Sequence, residues 1–284
     1  MSRAATALAV LCAILGLAAA PHAVAITGGQ ATSAGTFPWI VQVQQNRAPA
    51  WFTACTGTLI GPRFVLTAAH CTQLFPDVGQ PQQPAGDPLM GIRVVLSDGV
   101  ARRLLHVYVP ADFNYEAGVG DVAVLQLAAS VRAIAPVRLS ARDPRLGDVG
   151  TGLGYGCTSA DPNVCIVALA LAGVGVRHPI GVGELREDHE RVLMAGGKPL
   201  DQASAALCGT PPTLICTKGV DGVTRDGDSG GPLLFRQGKR WVEFGVVHDQ
   251  ANTAEANQTG EGNLTTTWIS VAHLRRFLRN FEGR

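Results

Sequence analysis

The chain has 284 residues, enough for one large domain or for two packed halves with a sizeable hydrophobic core. Its 23 Lys and Arg residues nearly balance its 22 Asp and Glu residues, which leaves a net charge of +1. This balance gives no electrostatic reason to expect a nucleic acid or an anionic membrane as a partner.

The first 25 residues are typical of a secretory signal peptide. Arg3 precedes an apolar run from Ala4 to Ala20, and Ala23-Val24-Ala25 has the form of a cleavage site. The run is too short, and too close to that site, for a stable membrane span. We therefore predict a secreted chain, extracellular or periplasmic, that begins at Ile26 and does not associate with a membrane after the signal is removed. A cut after Ala20, which retains a short pro-segment from Pro21 to Ala25, is the alternative.

From Ile26 onward, short apolar alternations are interrupted by Gly, Pro, Asn and Asp. This rhythm predicts strands joined by turns, and hence an all-β barrel or sandwich. Examples are Ile40 to Val43, Phe64 to Leu66, Arg93 to Leu96, Asp121 to Leu127 and Phe244 to Val247.

Three stretches are interpreted as long surface loops: Thr72 to Pro88, Glu184 to Ala206 and Gln250 to Gly262. The polar, Gly-rich segment from Ser140 to Gly152 separates two halves of similar size. The C-terminus predicts an amphipathic helix over residues 271–281, because apolar residues recur there at spacings of three and four: Val271, Leu274, Leu278 and Phe281.

Six cysteines remain after removal of the signal, and an even number in a secreted chain predicts disulfide bonds. We favour the pairs Cys55 with Cys71, Cys157 with Cys165, and Cys208 with Cys216. No Cys-x-x-Cys pair or histidine cluster has the spacing of a zinc site, so neither a metal nor another cofactor is expected.

Two short motifs carry candidate catalytic residues. His70 follows the apolar strand at residues 64–66 in Thr67-Ala68-Ala69-His70-Cys71, and Ser229 lies among glycines in Gly227-Asp228-Ser229-Gly230-Gly231. Glycines let the backbone turn tightly and leave the hydroxyl exposed. Serine is a weak nucleophile that needs a base, and the base needs an acid that fixes its tautomer. Asp121, at the head of an apolar strand, is the candidate acid, although an aspartate there is also a common turn residue.

These motifs resemble those of the trypsin and chymotrypsin family of serine proteases, in the family's order and over nearly the whole mature chain. The matching pieces are Ile26-Thr27-Gly28-Gly29, Phe37-Pro38-Trp39, Cys55 to Ile60, Thr67 to Cys71, Asp121 to Leu125, Gly154-Tyr155-Gly156 and Gly227 to Pro232. The resemblance implies an all-β fold of two packed antiparallel six-stranded β-barrels, over about 26–139 and 152–270, with a C-terminal helix. His70, Asp121 and Ser229 would meet in the cleft between the barrels as a catalytic triad.

The resemblance also implies roles for the residues around the triad. The N–H groups of Gly227 and Ser229 would form the oxyanion hole, and Asp228 would pair with the α-amino group of Ile26. We therefore expect a secreted, monomeric serine endopeptidase that cleaves a protein or peptide through an acyl-enzyme. The chain has only three lysines and is rich in Ala and Gly, which is typical of a GC-rich genome, so we expect a bacterial member.

The sequence departs from the family pattern around the specificity pocket. Arg225 replaces the cysteine that usually stands four residues before the serine, and Val223 takes the position that is acidic in trypsins. A preference for Arg or Lys substrates is therefore not expected, although Asp221 and Asp226 lie nearby. Val223 and Gln250 are the candidate pocket residues.

His248 falls where the family usually has a small hydroxyl that supports the catalytic aspartate. This histidine indicates either a changed support network or pocket, or a misaligned variable region. The sequence leaves both interpretations open.

Two other functions fit parts of the sequence. The Gly-x-Ser-x-Gly elbow of α/β-hydrolases matches the Ser229 motif, with Asp249 and His273 following in their order, but that elbow must open a helix and residues 233–235 are strand-like. A catalytically silent homologue that acts as a binding protein is the stronger alternative. Labelling of Ser229 by a fluorophosphonate distinguishes an enzyme from such a binder.

Overall fold

The computed structural model describes residues 26–47, 50–73, 88–157, 184–209, 211–251 and 265–282. Strands dominate these ranges: β1 (Gln30–Ala31), β2 (Ile40–Arg47), β3 (Ala50–Gly61), β4 (Phe64–Thr67), β5 (Ile92–Leu96), β6 (Ala101–Tyr108), β7 (Ala123–Leu127), β8 (Arg138–Leu139), β9 (Val149–Gly154), β10 (Arg186–Ala195), β11 (Lys198–Pro199), β12 (Leu214–Gly219), β13 (Pro232–Gln237), β14 (Arg240–Ala251) and β15 (Thr265–Ser270). The α-helices are short: α1 (Pro88–Gly91), α2 (Gln202–Cys208) and α3 (Arg275–Leu278). None of the helices in the described part of the chain is long and apolar enough to cross a membrane.

The first barrel closes in the order β2-β3-β4-β7-β6-β5, and all of its pairings are antiparallel. In β5 buried and half-buried residues alternate, and β7 is buried at four of its five positions. The alternation directs one face of each strand into the barrel, which is filled mainly by Val, Ile and Leu.

The second barrel closes in the order β9-β10-β12-β15-β14-β13, because β9 pairs with both β10 and β13. Its six ladders are also antiparallel. Outside the barrel, β1 and β11 pair with β10, and β8 runs parallel to β14. The two closed six-stranded barrels confirm the predicted fold and exclude the α/β-hydrolase alternative.

β3 of the first barrel makes a buried polar contact with the second barrel. The Thr58 hydroxyl donates to Glu243 Oε2 of β14 at 2.7 Å, and both residues are completely buried. The other carboxylate oxygen, Oε1, has no hydrogen-bond partner among the described residues. Burial raises the pKa of Glu243 to about 8, against the opposing hydrogen bond from Thr58. Glu243 is therefore a neutral acid at the barrel interface near pH 7.

One predicted loop was wrong. The segment from Glu184 to Ala206, interpreted as a surface loop, contains β10, β11 and the start of α2. The inward positions of β10 include Arg186, Asp188 and Glu190, which are buried charged residues. Because these buried residues are charged, a search for apolar residues at every second position does not detect this strand.

The C-terminal helix is shorter than predicted. The α-helix covers only Arg275–Leu278, and the residues before it form turns with hydrogen bonds between residues three apart. Phe281 anchors this end of the chain by packing on Phe64 and Tyr108 of the first barrel, with ring centroids 5.3 and 4.9 Å away.

Two of the predicted disulfide bonds are present. Cys55 is bonded to Cys71 and Cys208 to Cys216. Cys165 lies outside the described residues, so its pairing with Cys157 stays a prediction.

Candidate active site

His70 begins a 3-10 turn, His70–Thr72, that follows β4. The disulfide between Cys71 and Cys55 ties this turn to β3, with the two Cα atoms 6.1 Å apart. The backbone of His70 is therefore anchored, while its side chain stays 18% exposed at the barrel end.

Asp121 lies just before β7, and the pairing of β7 with β4 brings it to His70. Gly118 and Gly120 make the preceding turn with φ of +60° and +62°, a region that favours glycine. Asp121 Oδ1 accepts a hydrogen bond from the main-chain N–H of His70 at 2.9 Å, and Oδ2 accepts from His70 Nδ1 at 2.7 Å. Because an ionised carboxylate only accepts, Nδ1 carries the proton and Nε2 keeps a lone pair, as a general base requires.

The carboxyl group of Asp121 is completely buried. Burial alone would raise its pKa, but hydrogen bonds from His248 and His70, with the charge of His70, outweigh burial and hold the pKa well below its usual range. Asp121 therefore stays ionised and can stabilise an imidazolium on His70.

Ser229 lies in the loop before β13, pressed against the first barrel. Its carbonyl oxygen accepts from the N–H of Thr56 at 2.9 Å and lies 3.7 Å from Cys71 Sγ. Gly230 has φ of +81°, and a Cβ there would lie 2.8 Å from the main-chain nitrogen of Ala68. Only glycine lets the loop approach the histidine turn this closely.

No hydrogen bond joins Ser229 Oγ to His70 Nε2 among the described residues. Hydrogen bonds between a nucleophile and its base are often long in free enzymes and tighten when substrate binds. The N–H groups of Gly227 and Ser229 donate to no carbonyl in the described part of the chain. They are therefore free to bind a developing oxyanion, as the resemblance implies.

Thr56, which the sequence analysis did not single out, supports the loop that carries these two N–H groups. Its hydroxyl donates to the carbonyl of Gly227 and accepts from the N–H of Tyr155, each at 3.0 Å, and Thr56 is completely buried. Together with the bond from its own N–H to Ser229, this residue holds the loop from the first barrel.

Thr56→Val is expected to destabilise the protein by about 2 kcal/mol, because it leaves a buried carbonyl and a buried N–H without a partner. It is also expected to lower kcat about 10- to 100-fold through displacement of the loop. Guanidinium unfolding and peptide hydrolysis measure the two effects. Thr53→Val is the matched control on β3, because Thr53 donates to Gln42 instead; an equal loss of kcat in both variants would contradict the role of Thr56.

Asp228 points away from the surface and is completely buried. Its two oxygens accept from the N–H groups of Gly156 at 2.8 Å and Arg225 at 2.7 Å. Burial raises the pKa of Asp228 to about 8, and these hydrogen bonds oppose the shift. The predicted ion pair with Ile26 requires a cut after Ala25, which lies outside the described residues.

The candidate pocket residues lie on neighbouring segments. Val223 N–H donates to the carbonyl of Thr27 at 3.0 Å, and Gln250 of β14 is opposite Thr266 of β15. The hydroxyl of Thr266 is 2.8 Å from that of Thr224, which links the two sides. Their assignment to the specificity pocket remains a prediction.

Two of the charged residues near Val223, Asp221 and Arg225, are engaged elsewhere. Asp221 accepts from the main-chain N–H of His189 at 2.7 Å and lies 2.6 Å from its Nδ1, so it faces β10. Arg225, in place of the family's cysteine, donates to the Thr27 hydroxyl at 3.2 Å. Hydrogen bonds to the N-terminal segment thus brace the loop where the family has a disulfide.

His248 is brought to Asp121, the candidate catalytic acid, in agreement with the interpretation as a changed support network. Its Nδ1 lies 2.6 Å from Asp121 Oδ2, the oxygen that also binds His70. Tyr115, which the sequence analysis missed, packs edge-on against both imidazole rings. The spacings among His70, Asp121 and His248 are those of hydrogen bonds, so we interpret this group as a proton network rather than a metal centre.

Comparison with known proteins agrees with the fold. A family model described as Trypsin matches residues 26–169, about half of the chain. Trypsin alpha-4 of Lucilia cuprina is 28% identical over 258 residues, which cover 89% of this chain and 86% of that protein. Trypsin beta of Drosophila erecta is 25% identical over 258 residues, with coverages of 90% and 87%.

Transmembrane protease serine 9 of Rattus norvegicus is 30% identical over 251 residues, covering 83% of this chain but only 20% of that much longer protein. The chain belongs to the trypsin family of serine-type peptidases. These relatives are animal proteins, and the bacterial source expected from composition is not confirmed by them.

Proposed function

We propose that this protein is a secreted serine endopeptidase that hydrolyses peptide bonds through an acyl-enzyme, with His70, Asp121 and Ser229 as its triad. The observation that carries the proposal is the His70–Asp121 pair, joined at 2.7 Å, beside a serine loop whose two N–H groups are free among the described residues.

In the proposed reaction, Ser229 Oγ attacks the carbonyl carbon of the scissile bond as its proton passes to His70 Nε2. The C–N bond then breaks while His70 returns that proton to the leaving amine, and Ser229 is left acylated. Water, deprotonated by His70, then attacks the ester carbonyl carbon. The bond from that carbon to Ser229 Oγ breaks as His70 returns the proton to Oγ, and the acid is released. The N–H groups of Gly227 and Ser229 stabilise the oxyanion in both halves.

Processing after Ala25 is part of the proposal. Ile26 has φ of +40°, the one positive value at a non-glycine residue in the described ranges. For a β-branched residue this conformation is strained, at a cost of about 1–3 kcal/mol. Because φ is defined by the preceding carbonyl, a cut after Ala25 removes the strain and frees the amino group that Asp228 is expected to bind.

The disulfide bonds support export to an oxidising compartment, in agreement with the predicted signal. We propose a protein or peptide substrate without a preference for Arg or Lys, because Val223 occupies the candidate pocket and Asp221 faces His189. A peptide library distinguishes this preference from a trypsin-like one.

A fluorophosphonate probe tests the proposal against the alternative of a silent binding homologue. The secreted protein is first shown by N-terminal sequencing to begin at Ile26, and a start at Pro21 would contradict the proposed cut. We expect one equivalent of label on Ser229, blocked by a peptide substrate and absent in Ser229→Ala. Absence of label in the processed protein would favour the binding homologue.

A further inference from the structure

His248 occupies an irregular point of β14. The register of β14 against β15 shifts between Val247, opposite Trp268, and Asp249, opposite Thr267, which leaves His248 as the extra residue. A bulge of this kind re-aims a side chain relative to its neighbours in the strand. His248 is accordingly directed inward, with only 7% of the residue exposed.

The carboxylate of Asp121 receives three hydrogen bonds from two histidines. His248 Nδ1 and His70 Nδ1 both donate to Oδ2, at 2.6 and 2.7 Å, while the main-chain N–H of His70 donates to Oδ1. Hydrogen bonds to an ionised acceptor are the short and strong ones. Because the three donors come from separate groups, the carboxylate cannot rotate without breaking at least one of them.

The imidazole of His248 is also held by packing. The ring of Tyr115 lies edge-on to His248 and to His70, with centroid distances of 5.0 and 5.3 Å. Burial, followed by the charges of Asp249 and Asp121, raises the pKa of Tyr115, so its phenol stays neutral against the two imidazoles. A Cβ added to Gly118 would lie 3.5 Å from His248 Nε2, so this glycine also lies close to the imidazole.

We propose that His248 is a positioning residue of the catalytic centre: by binding Asp121 Oδ2, it holds the carboxylate in the orientation in which His70 presents Nε2 to Ser229. This inference rests on the proposed peptidase function. His248 acts through Asp121 and touches no reacting atom, so its effect falls on kcat and leaves KM nearly unchanged.

Two substitutions of the same shape separate the hydrogen bond from the packing. Asparagine and leucine are isosteric, but only asparagine places an N–H donor where His248 has Nδ1. We expect His248→Leu to lower kcat about 10- to 100-fold, the usual range for a partner that orients a reacting group. His248→Asn is expected to restore kcat close to the wild-type value.

A spectroscopic readout tests the same contact without activity. In protein labelled with ¹⁵N-histidine, we expect two imidazole N–H protons far downfield, from His70 and His248. His248→Asn should remove one and keep the other, whereas His248→Leu should also shift the remaining His70 proton. If wild-type Ser229 proves unreactive, the proposed function fails, and these spectra still decide whether His248 positions Asp121 and His70.

His189→Leu is the matched control, because His189 Nδ1 also lies 2.6 Å from a carboxylate oxygen, Asp221 Oδ2, but at an exposed position. Its kcat should equal that of the wild type. If His248→Leu does not fold, His248→Gln replaces it, since the glutamine amide lies nearer the Nε2 position. Equal kcat in the asparagine and leucine variants, a change confined to KM, or an unshifted His70 proton in the leucine variant would overturn the proposal.

Discussion

Asp121→Asn is expected to lower kcat by about 10⁴-fold while the protein stays folded. The reason lies in the three N–H groups that face this carboxylate. An amide has one oxygen, and the main-chain N–H of His70 cannot change, so the oxygen is expected to turn toward it. The amide NH₂ then faces both imidazoles, which must present unprotonated Nδ1 atoms. His70 consequently carries its proton on Nε2 and cannot accept one from Ser229.

Kinetics on a peptide substrate, corrected for the amount of active enzyme by fluorophosphonate titration, measure this loss. Asp221→Asn is the matched control. Asp221 makes the same two contacts with His189, at 2.7 Å to the main-chain N–H and 2.6 Å to Nδ1, and this pair lies outside the proposed triad. The control should retain nearly full kcat. Similar losses in the two variants would remove Asp121 from the proposed triad.

Glu243→Gln is expected to stabilise the protein at high pH by about 5 kcal/mol and to leave stability nearly unchanged near pH 4. The pKa of Glu243 rises from 4.5 to about 8 on folding, chiefly through burial. Between these values the folded protein binds more protons than the unfolded chain, so its stability falls as pH rises. Each unit of pKa difference is worth about 1.4 kcal/mol, and the loss is complete above pH 8. Glutamine can accept the same bond from Thr58 and never ionises.

Guanidinium unfolding at pH 5 and pH 9, in a Ser229→Ala background that prevents autolysis, measures this difference. Glu116→Gln is the control, because Glu116 is exposed in a loop and loses little hydration on folding. Only Glu243→Gln should reduce the fall in stability between the two pH values. An identical pH slope in the wild type and Glu243→Gln would show that burial does not raise the pKa of Glu243.

The parts of the fold that follow local rules could be predicted from the sequence. Apolar alternation in β5 and β7 predicts strands because one face of each is buried. β10 could not be found in this way, since its inward residues include Asp188 and Glu190. These acids are buried because of their surroundings in the closed barrel, and a local sequence pattern contains no information about those surroundings.

The same division holds at the candidate site. Short motifs identified His70, Ser229 and Asp228, because a nucleophile, its base and a tight turn require particular residues close together in sequence. Asp121 needed the order of the family's motifs as well, since an aspartate before a strand is common. Its contact with His70 depends on the pairing of β4 with β7.

By itself, the sequence determined the class of fold, the two disulfide pairs present in the structure, and the residues proposed as the triad. These properties depend on local spacing and short motifs. Only the tertiary structure decided the surroundings of that triad. The contact of His248 with Asp121 joins residues 127 positions apart, and that of Thr56 with Gly227 joins residues 171 apart. Such contacts form only when the closed barrels carry β14 to the turn before β7 and β3 to the serine loop.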